Sequence, residues 1–440
     1  MNKIRLTIFM IMLYSNSYSN SIIKNIIVTG NEKTKTEVIL GIARVKVGDE
    51  FTEDTVKNIK RYLDNQRKFE EVEVSYQKDS DNNVIITIKV KDKWSIIGIP
   101  YFAYKDSDVS FGFIFLESNL LGYQNSIVLS AIYDKKPDFF FLFSHPRVRN
   151  SLFSYVIGIA KKYEEIDVFD KNKITENFTR EYYGGFITLK YQFYGEHYIM
   201  FSLNNYRYEN QKYDYKEKGY NSFSGIFLEL DWSSFEGYYA EGNYLGLYYE
   251  NNLWYSDTER KIAGFKFESF FNPYKKQNIY IGINGFHAFK LDPFFKETIG
   301  RDQSFYVGQL RGYKKYQIRT DSGITNNLEY RIPITKIFST DFILVPFFDT
   351  AVSYQEKRKN WKIDSGTGLA LRFYLNKVII PVMEIYFGYG LRYKEYSFGF
   401  TLGGRMWFSY DFYPNFPLSW PIKLTQHNTL PPPKNNIFIL

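Results

Sequence analysis

The feature that most constrains this chain is an alternation of apolar and polar residues with a period of two. The pattern runs through most of residues 94–408. It predicts β-strands with one apolar face and one face that meets water. The alternation is clearest in residues 226–232, 368–375, 383–392 and 397–408.

A soluble β-sandwich would also alternate, so periodicity alone leaves two architectures open. Aromatic residues make up 20% of the chain and gather near predicted strand ends, for example at Tyr213, Tyr238 and Tyr393. We interpret them as lipid-facing and interfacial girdle residues. Charges such as Glu229 and Arg372 on the polar faces need a hydrated interior. We therefore predict a mainly β chain with a 16-stranded antiparallel transmembrane β-barrel, which also leaves no free edge in lipid.

The first residues resemble a secretory signal peptide. Lys3 and Arg5 precede the short apolar run from Leu6 to Leu13, and Ser17 and Ser19 provide a small-residue cleavage site. The run is far shorter than the roughly 20 residues of a spanning helix, although an uncleaved anchor is the alternative. We predict a signal peptide over residues 1–19.

The composition argues against most enzyme classes. The chain has no cysteine, which excludes disulfides, thiolate nucleophiles and cysteine-ligated metals. Its four histidines are widely spaced, and no phosphate-binding glycine loop or nucleophile elbow is present. We expect no enzymatic activity, no cofactor and no metal site. Residues 20–93 hold 14 basic and 13 acidic residues, so we expect no nucleic-acid partner there.

Residues 20–93 differ from the rest of the chain and predict a small domain of order β-α-α-β-β. Thr36 and Thr52 are placed to cap two helices, and the residues that follow each of them have apolar side chains at helical spacing. Residues 84–90 alternate as a strand does.

The sequence of this segment resembles that of a polypeptide-transport-associated (POTRA) domain. The stretches that carry the resemblance are IIVTGN, VGDEFTEDTVKNIKRYLDNQRKFEEVEV and VIITIKVKDKW. Lys68 stands where that family usually has glycine. An unrelated small α+β domain is the alternative. The exposed edge of the predicted sheet could pair with an incoming extended chain. The matching positions are Gly30, Gly48, Phe51, Leu63, Phe69 and Val72.

A long segment, residues 291–320, separates two strong strand patterns. Within it, Leu310 to Tyr313 resembles the VRGF/Y signature in the sixth extracellular loop of the BamA/TamA-type outer-membrane assembly superfamily, the bacterial surface antigen barrels. Residues 117–122, 328–333 and 347–351 resemble other strands of that superfamily. The resemblance covers about residues 20–408 and implies a barrel with a single POTRA domain.

Strand parity places Glu329 and Asp349 on the faces opposite the lipid-facing residues. A loop that folds inward could lay Arg311 between them, with Gly312 allowing close approach to the wall. A solvated loop charge is the alternative for Arg311. The resemblance implies a lumenal loop lock of Arg311, Gly312, Tyr313, Glu329 and Asp349.

The end of the barrel pattern departs from the superfamily. Phe408 resembles the usual terminal aromatic residue, yet a proline-rich tail follows over residues 409–440. Gly399, Gly403 and Gly404 would weaken packing in the last strand, which suits a lateral seam that ends near Phe408. Glycine on a crowded lumenal face is the alternative. The predicted domains are residues 1–19, 20–93, 94–408 and 409–440.

The resemblance implies a protein of the cell outer membrane with its POTRA domain in the periplasm. The POTRA domain would receive unfolded β chains, and the barrel seam would template their insertion or translocation. The implied partners are outer-membrane lipids, unfolded outer-membrane or secreted polypeptides, and periplasmic or lipoprotein accessory subunits. A dedicated secretion channel or passive pore is the alternative, and a surface antigen without transport activity is a third.

Overall fold

The structure is a computed structural model. The chain divides into two compact units, with the division between Asp92 and Lys93. None of the helices in the described part of the chain is long and apolar enough to cross a bilayer. The structure describes residues 21–402 except 82, 106–107, 148–150, 171–172, 214, 301–305, 316, 356–359 and 379–381. The predicted signal peptide, Gly403, Gly404, Phe408 and the proline-rich tail lie outside the described residues.

The first unit is a three-stranded sheet with two helices, and the predicted β-α-α-β-β order is confirmed. The bounds are β1 Ile23–Thr29, α1 Thr36–Ala43, α2 Glu53–Asn65, β2 Phe69–Lys78 and β3 Val84–Asp92. The central strand, β3, pairs in parallel with β1 and antiparallel with β2.

The core of this unit follows from the spacing of its apolar residues. Ile39 and Ile42 of α1 lie on one helix face, as do Ile59 and Leu63 of α2. Both helices bury these side chains in one cluster with alternate residues of β3, such as Ile86. Each fully buried side chain of this size contributes about 1.5–3 kcal/mol of hydrophobic stabilisation.

The two helices begin differently. The Thr52 side chain accepts a hydrogen bond from the Thr55 N–H, and the Thr55 hydroxyl accepts one from the Thr52 N–H, which makes a capping box for α2. The predicted cap at Thr36 is wrong. The residue before α1 is Lys35, which makes no side-chain cap, and the Thr36 hydroxyl instead accepts a hydrogen bond from Asn31.

We expect Thr52→Ala to lower the free energy of unfolding of residues 20–93 by about 1 kcal/mol, because it leaves the Thr55 N–H without its cap. Urea unfolding of that fragment measures the change. Thr36→Ala is the matched control and should have a smaller effect, since its hydroxyl meets only an exposed side chain. Equal losses in the two variants would contradict this assignment of the caps.

Asp79 closes the turn between β2 and β3 and connects it to β1. Its carboxylate accepts hydrogen bonds from the Lys24 ammonium at 2.9 Å and from the backbone N–H groups of Asp81 and Asn83, both at 2.9 Å. The Lys24 hydrogen bond is the main reason why the pKa of Asp79 falls to about 2. A carboxylate whose pKa is lowered by folding stabilises the fold above its ordinary pKa.

The contribution of Asp79 should therefore be complete above its ordinary pKa of 3.8 and lost as the pH falls towards 2. We expect the stability difference between the parent fragment and Asp79→Asn to shrink over that range, as measured by urea unfolding at several pH values. Glu73→Gln is the control, because Glu73 pairs with Lys89 on the exposed face at 3.0 Å. A difference between parent and Asp79→Asn that does not vary with pH would contradict the prediction.

The second unit is a closed barrel of antiparallel neighbours, which confirms the predicted fold class. The bounds of the strands in this unit are β4 Ile96–Lys105, β5 Asp108–Leu120, β6 Asn125–Asp134, β7 Lys136–His145, β8 Phe153–Asp170, β9 Lys173–Tyr194, β10 His197–Lys212, β11 Tyr215–Asp231, β12 Ser234–Glu236, β13 Tyr239–Asn252, β14 Arg260–Phe271, β15 Asn278–Leu291, β16 Glu297–Ile299, β17 Ile318–Thr320, β18 Ser322–Ile337, β19 Thr340–Gln355, β20 Asn360–Leu375, β21 Val382–Gly390 and β22 Glu395–Leu402.

Among the described residues the barrel wall has sixteen long strands and one three-residue strand, β12. Strand β12 pairs with β13, which also pairs directly with β11. Strand β22 closes the barrel against β4.

The assignment of the aromatic residues to lipid and girdle positions is correct only in part. Tyr213 is exposed, but Tyr238 packs on Tyr374 at 5.8 Å and Tyr393 on Tyr313 at 5.7 Å between ring centroids. Many other rings line the lumen, because a wide barrel leaves space that only large side chains fill and tyrosine hydroxyls can bond to lumenal carboxylates. Buried rings of the wall include Tyr182, Phe186, Tyr206, Tyr208, Phe223, Phe227, Tyr244, Tyr248, Tyr280, Phe286, Tyr374 and Tyr386.

The segment between β15 and β18 comprises residues 292–321, and we call it the lumenal loop. Its described residues fold into the lumen. It contains a short 3-10 turn, Pro293–Phe295, and the two-stranded sheet of β16 and β17. Apolar residues of the loop form one buried cluster with side chains from the walls of β10 to β19. The loop members of that cluster are Ile299, Tyr306, Val307, Leu310, Tyr313 and Ile318.

Candidate functional site

Arg311 of the lumenal loop lies at the centre of the candidate site and is fully buried. Its Nε and Nη2 donate to the two carboxylate oxygens of Asp349 at 2.7 and 2.8 Å, and its backbone N–H donates to the same carboxylate at 3.0 Å. Its Nη1 donates to Glu329 at 3.1 Å. The guanidinium also lies 3.5 Å from the ring centroid of Phe347. A planar fork with two parallel bonds to one carboxylate is a geometry that arginine provides and lysine does not.

Glu329 is shared by three arginines. Besides Arg311, it accepts two hydrogen bonds from Arg331 at 3.0 and 3.1 Å and two from Arg372 at 3.1 and 3.2 Å. Arg372 also donates to Glu384, which it faces directly across the pairing of β20 and β21. We call these six side chains the lock network: Arg311, Arg331, Arg372, Glu329, Asp349 and Glu384.

The lock network balances three positive charges with three negative charges in a site without exposed surface. Removing ions from water costs several kcal/mol for each ion, so such a cluster persists only when every charge is paired and hydrogen-bonded. Asn327 adds to the pairing, since its amide donates to Asp349 at 2.7 Å and to the backbone carbonyl of Gln309 at 2.6 Å. The network therefore connects the loop to β18, β19, β20 and β21.

The wall beneath Arg311 and Gly312 is made of glycine. A Cβ on Gly366 would lie 1.8 Å from the Arg311 carbonyl oxygen, and one on Gly388 would lie 2.7 Å from the Gly312 nitrogen. Gly390 is equally close to the loop, at 2.5 Å from the Gly312 carbonyl oxygen. These glycines let the loop backbone lie directly on β20 and β21.

Gly312 itself needs to be glycine for two reasons. Its φ of +98° lies in the left-handed region, and a Cβ there would be 2.5 Å from the backbone of Tyr389 and Gly390. Its N–H donates to the Ser397 hydroxyl of β22 at 2.9 Å. The next residue, Tyr313, is buried and donates to Asp364 at 3.3 Å. The structure thus brings together all five residues of the predicted loop lock.

Sequence reasoning did not include Arg331, Arg372, Glu384 or the glycine wall in the site. Their lumenal orientation was visible from strand parity, since Arg331 shares the face of Glu329. The missing information was the register between strands, which decides that Arg372 faces Glu384.

Gly399 is the one residue of the predicted lateral seam that the structure describes. It lies in β22 opposite Tyr386 of β21, and a Cβ there would be 2.2 Å from a carbon of the Tyr386 ring. The close ring explains a small residue at this position. A role in the seam stays a prediction.

A POTRA unit followed by a closed barrel with a loop folded into its lumen defines a class of outer-membrane protein. Residues 21–93 match the POTRA family, which is described as a surface antigen variable number repeat. The chain is 24% identical to the outer membrane protein assembly factor BamA of Nitratidesulfovibrio vulgaris over 88% of its own length. It spans 50% of the length of that relative.

Two solved structures share the fold. BamA from Haemophilus ducreyi lacking POTRA domains 1–3 matches with a TM-score of 0.53 and 16% identity, over 86% of this chain and 83% of that one. CdiB from Escherichia coli matches with a TM-score of 0.63 and 10% identity, over 87% and 75%. The predicted resemblance to BamA/TamA-type barrels is confirmed, and with it the location in the outer membrane with the POTRA domain in the periplasm.

We expect Arg311→Ala to lower the stability of the folded barrel by about 3–5 kcal/mol, because it leaves Asp349 as a buried charge without its main partner. Denaturant unfolding in detergent and the heat-modifiable band on gels measure the loss. Arg311→Lys should restore only part of the stability, since an ammonium cannot make the bidentate contact.

Lys314→Ala is the matched control from the same loop. Lys314 makes a partly exposed ion pair with Glu395 at 3.3 Å, so its removal should cost less than about 1 kcal/mol. An Arg311→Ala barrel as stable as the parent would contradict a structural role for the lock network.

Proposed function

We propose that this protein is a non-enzymatic outer-membrane assembly factor that inserts or translocates unfolded polypeptides. The observation that carries the proposal is the lock network, which holds the lumenal loop inside a closed barrel that follows a POTRA domain. The name of the curated relative, an assembly factor, supports the same activity.

The edge strand β2 of the POTRA domain would receive an incoming chain. On the opposite edge of the sheet the start of β1 is occupied, because Ile23 exchanges backbone hydrogen bonds with Gly48 and Asp49, and Ile22 bridges Glu50. Strand β2 pairs with β3 on one side and with no other strand of the described residues. An unfolded β chain would add to β2 through backbone hydrogen bonds, which do not depend on client sequence.

The barrel would contribute its seam between β22 and β4. Strand β22 is the neighbour of β4 in the closed barrel, so the seam joins the last and the first strand described in the wall. Opening this seam would expose the edges of both strands. A client strand would pair with the edge exposed there. Outer-membrane lipids and periplasmic or lipoprotein accessory subunits belong to the same proposal.

A dedicated secretion channel is the second candidate, and the polar lumen favours it. Buried wall residues such as Asn204, Thr188 and Ser202 provide hydrogen-bonding groups along the interior. An extended chain could cross a lumen of this kind if the lumenal loop moved aside.

Depletion of the protein, followed by an inventory of outer-membrane proteins, distinguishes these functions. We expect several unrelated barrel proteins to decrease, because an insertase acts on many clients, and restoration by the parent gene but not by Arg311→Ala. Loss of a single secreted product would favour the dedicated channel. An unchanged inventory and an unchanged secretome would overturn both and favour a surface antigen.

A further inference from the structure

A second buried charged cluster lies on a different side of the lumen. Arg260 of β14 and Glu250 of β13 belong to the barrel wall, and Tyr306 belongs to the lumenal loop. The three side chains are buried. None of them is part of the lock network, and nothing in the family signature points to them.

The geometry makes Tyr306 a bridge between the loop and an ion pair of the wall. Arg260 Nε donates to Glu250 Oε2 at 2.7 Å, and Arg260 Nη2 donates to the Tyr306 hydroxyl at 2.5 Å. The Tyr306 hydroxyl in turn donates to Glu250 Oε2 at 2.7 Å. One loop hydroxyl therefore contacts both members of the ion pair, and hydrogen bonds to charged groups are the stronger kind.

Aromatic packing holds the cluster in place. The Arg260 guanidinium lies 4.5 Å from the ring centroid of Phe223, and the Tyr306 ring lies 5.2 Å from that of Tyr248. Both partner rings belong to the wall, so the hydroxyl of Tyr306 cannot leave the ion pair unless the loop itself moves. Glu297 of β16 lies 3.9 Å from Arg260 Nη2 and adds a second loop contact.

The two charged clusters hold different parts of the loop. The lock network attaches Arg311 to β18–β21, whereas Tyr306 attaches an earlier part of the loop to β13 and β14. Between the two attachments, Val307 and Leu310 are completely buried in the apolar cluster of the lumen. The loop is thus fastened to two different arcs of the wall.

We propose that Arg260, Glu250 and Tyr306 form a second lock that holds the lumenal loop at Tyr306 and keeps the lumen closed. The proposal rests on the proposed function in one respect, because it treats the loop as the closure of a transport barrel. If the loop moved inward from β13 and β14, the wall ion pair would lose its hydroxyl partner. The second lock involves few hydrogen bonds, so it can open while the lock network keeps the loop attached.

The test is the conductance of the purified full-length protein in planar bilayers. Tyr306→Phe keeps the ring and removes only the bridging hydroxyl. We expect the fraction of time spent in conducting states to rise about tenfold, which corresponds to about 1.4 kcal/mol. Arg260→Lys should act in the same direction, since an ammonium cannot contact Glu250 and Tyr306 in the same planar geometry.

Tyr248→Phe is the matched control. Tyr248 is a buried tyrosine beside Tyr306, but its hydroxyl donates to the Gly285 carbonyl within the wall at 3.3 Å. We expect its conductance to equal that of the parent. Heat modifiability of each variant confirms that the barrel is folded before conductance is compared.

Labelling provides an independent measurement, because the chain has no cysteine of its own. Val307→Cys should react slowly with a maleimide in the parent background, since Val307 is fully buried, and faster when combined with Tyr306→Phe. A folded Tyr306→Phe barrel with parental conductance and parental labelling would overturn the second lock. Failure of the depletion experiment would not alter either readout, so the two proposals fail separately.

Discussion

The barrel depends on the pairing of one buried arginine with two carboxylates. Arg311 is completely enclosed, and without Asp349 and Glu329 its charge would cost several kcal/mol. The pairing is specific because the fork of the guanidinium matches both oxygens of Asp349. It places a loop inside the lumen, where the loop supplies apolar side chains that fill the interior. Loop position, lumen filling and barrel closure are therefore parts of one arrangement.

The wall is adapted to this loop in ways that extend beyond the charged residues. Gly366, Gly388 and Gly390 leave room for its backbone, so the loop rests on β20 and β21 without an intervening layer of side chains. On another arc of the wall, Tyr306 joins the loop to Arg260 and Glu250. Because the loop is attached at two arcs of the wall, the lock network can keep the loop in place while the cluster of Arg260, Glu250 and Tyr306 controls whether the lumen is closed.

Strand parity predicted much of this arrangement, and its errors have identifiable causes. Parity put Glu329 and Asp349 on the lumenal face, where both lie. It could not state how strands align, so the contact of Arg372 with Glu384 was missed. Aromatic residues were assigned to lipid and girdle positions because they gather near predicted strand ends, yet Tyr244 and others use their hydroxyls inside the lumen. At Thr36 a plausible cap was wrong because the helix already begins at Thr36, so that Lys35 takes the N-cap position.

By itself, the sequence determined the two-part architecture, the β-α-α-β-β order of the first unit and the strand content of the barrel. These features are local, because hydrophobic periods of two and of three to four residues specify strands and helices wherever they occur. The tertiary structure decided which charges meet and where the loop attaches. Such contacts depend on register between distant strands and on the path of the loop, and no local pattern encodes either. Arg311 could be recognised in the sequence because residues 310–313 resemble a family signature, whereas the Arg260, Glu250 and Tyr306 cluster emerged only from the fold.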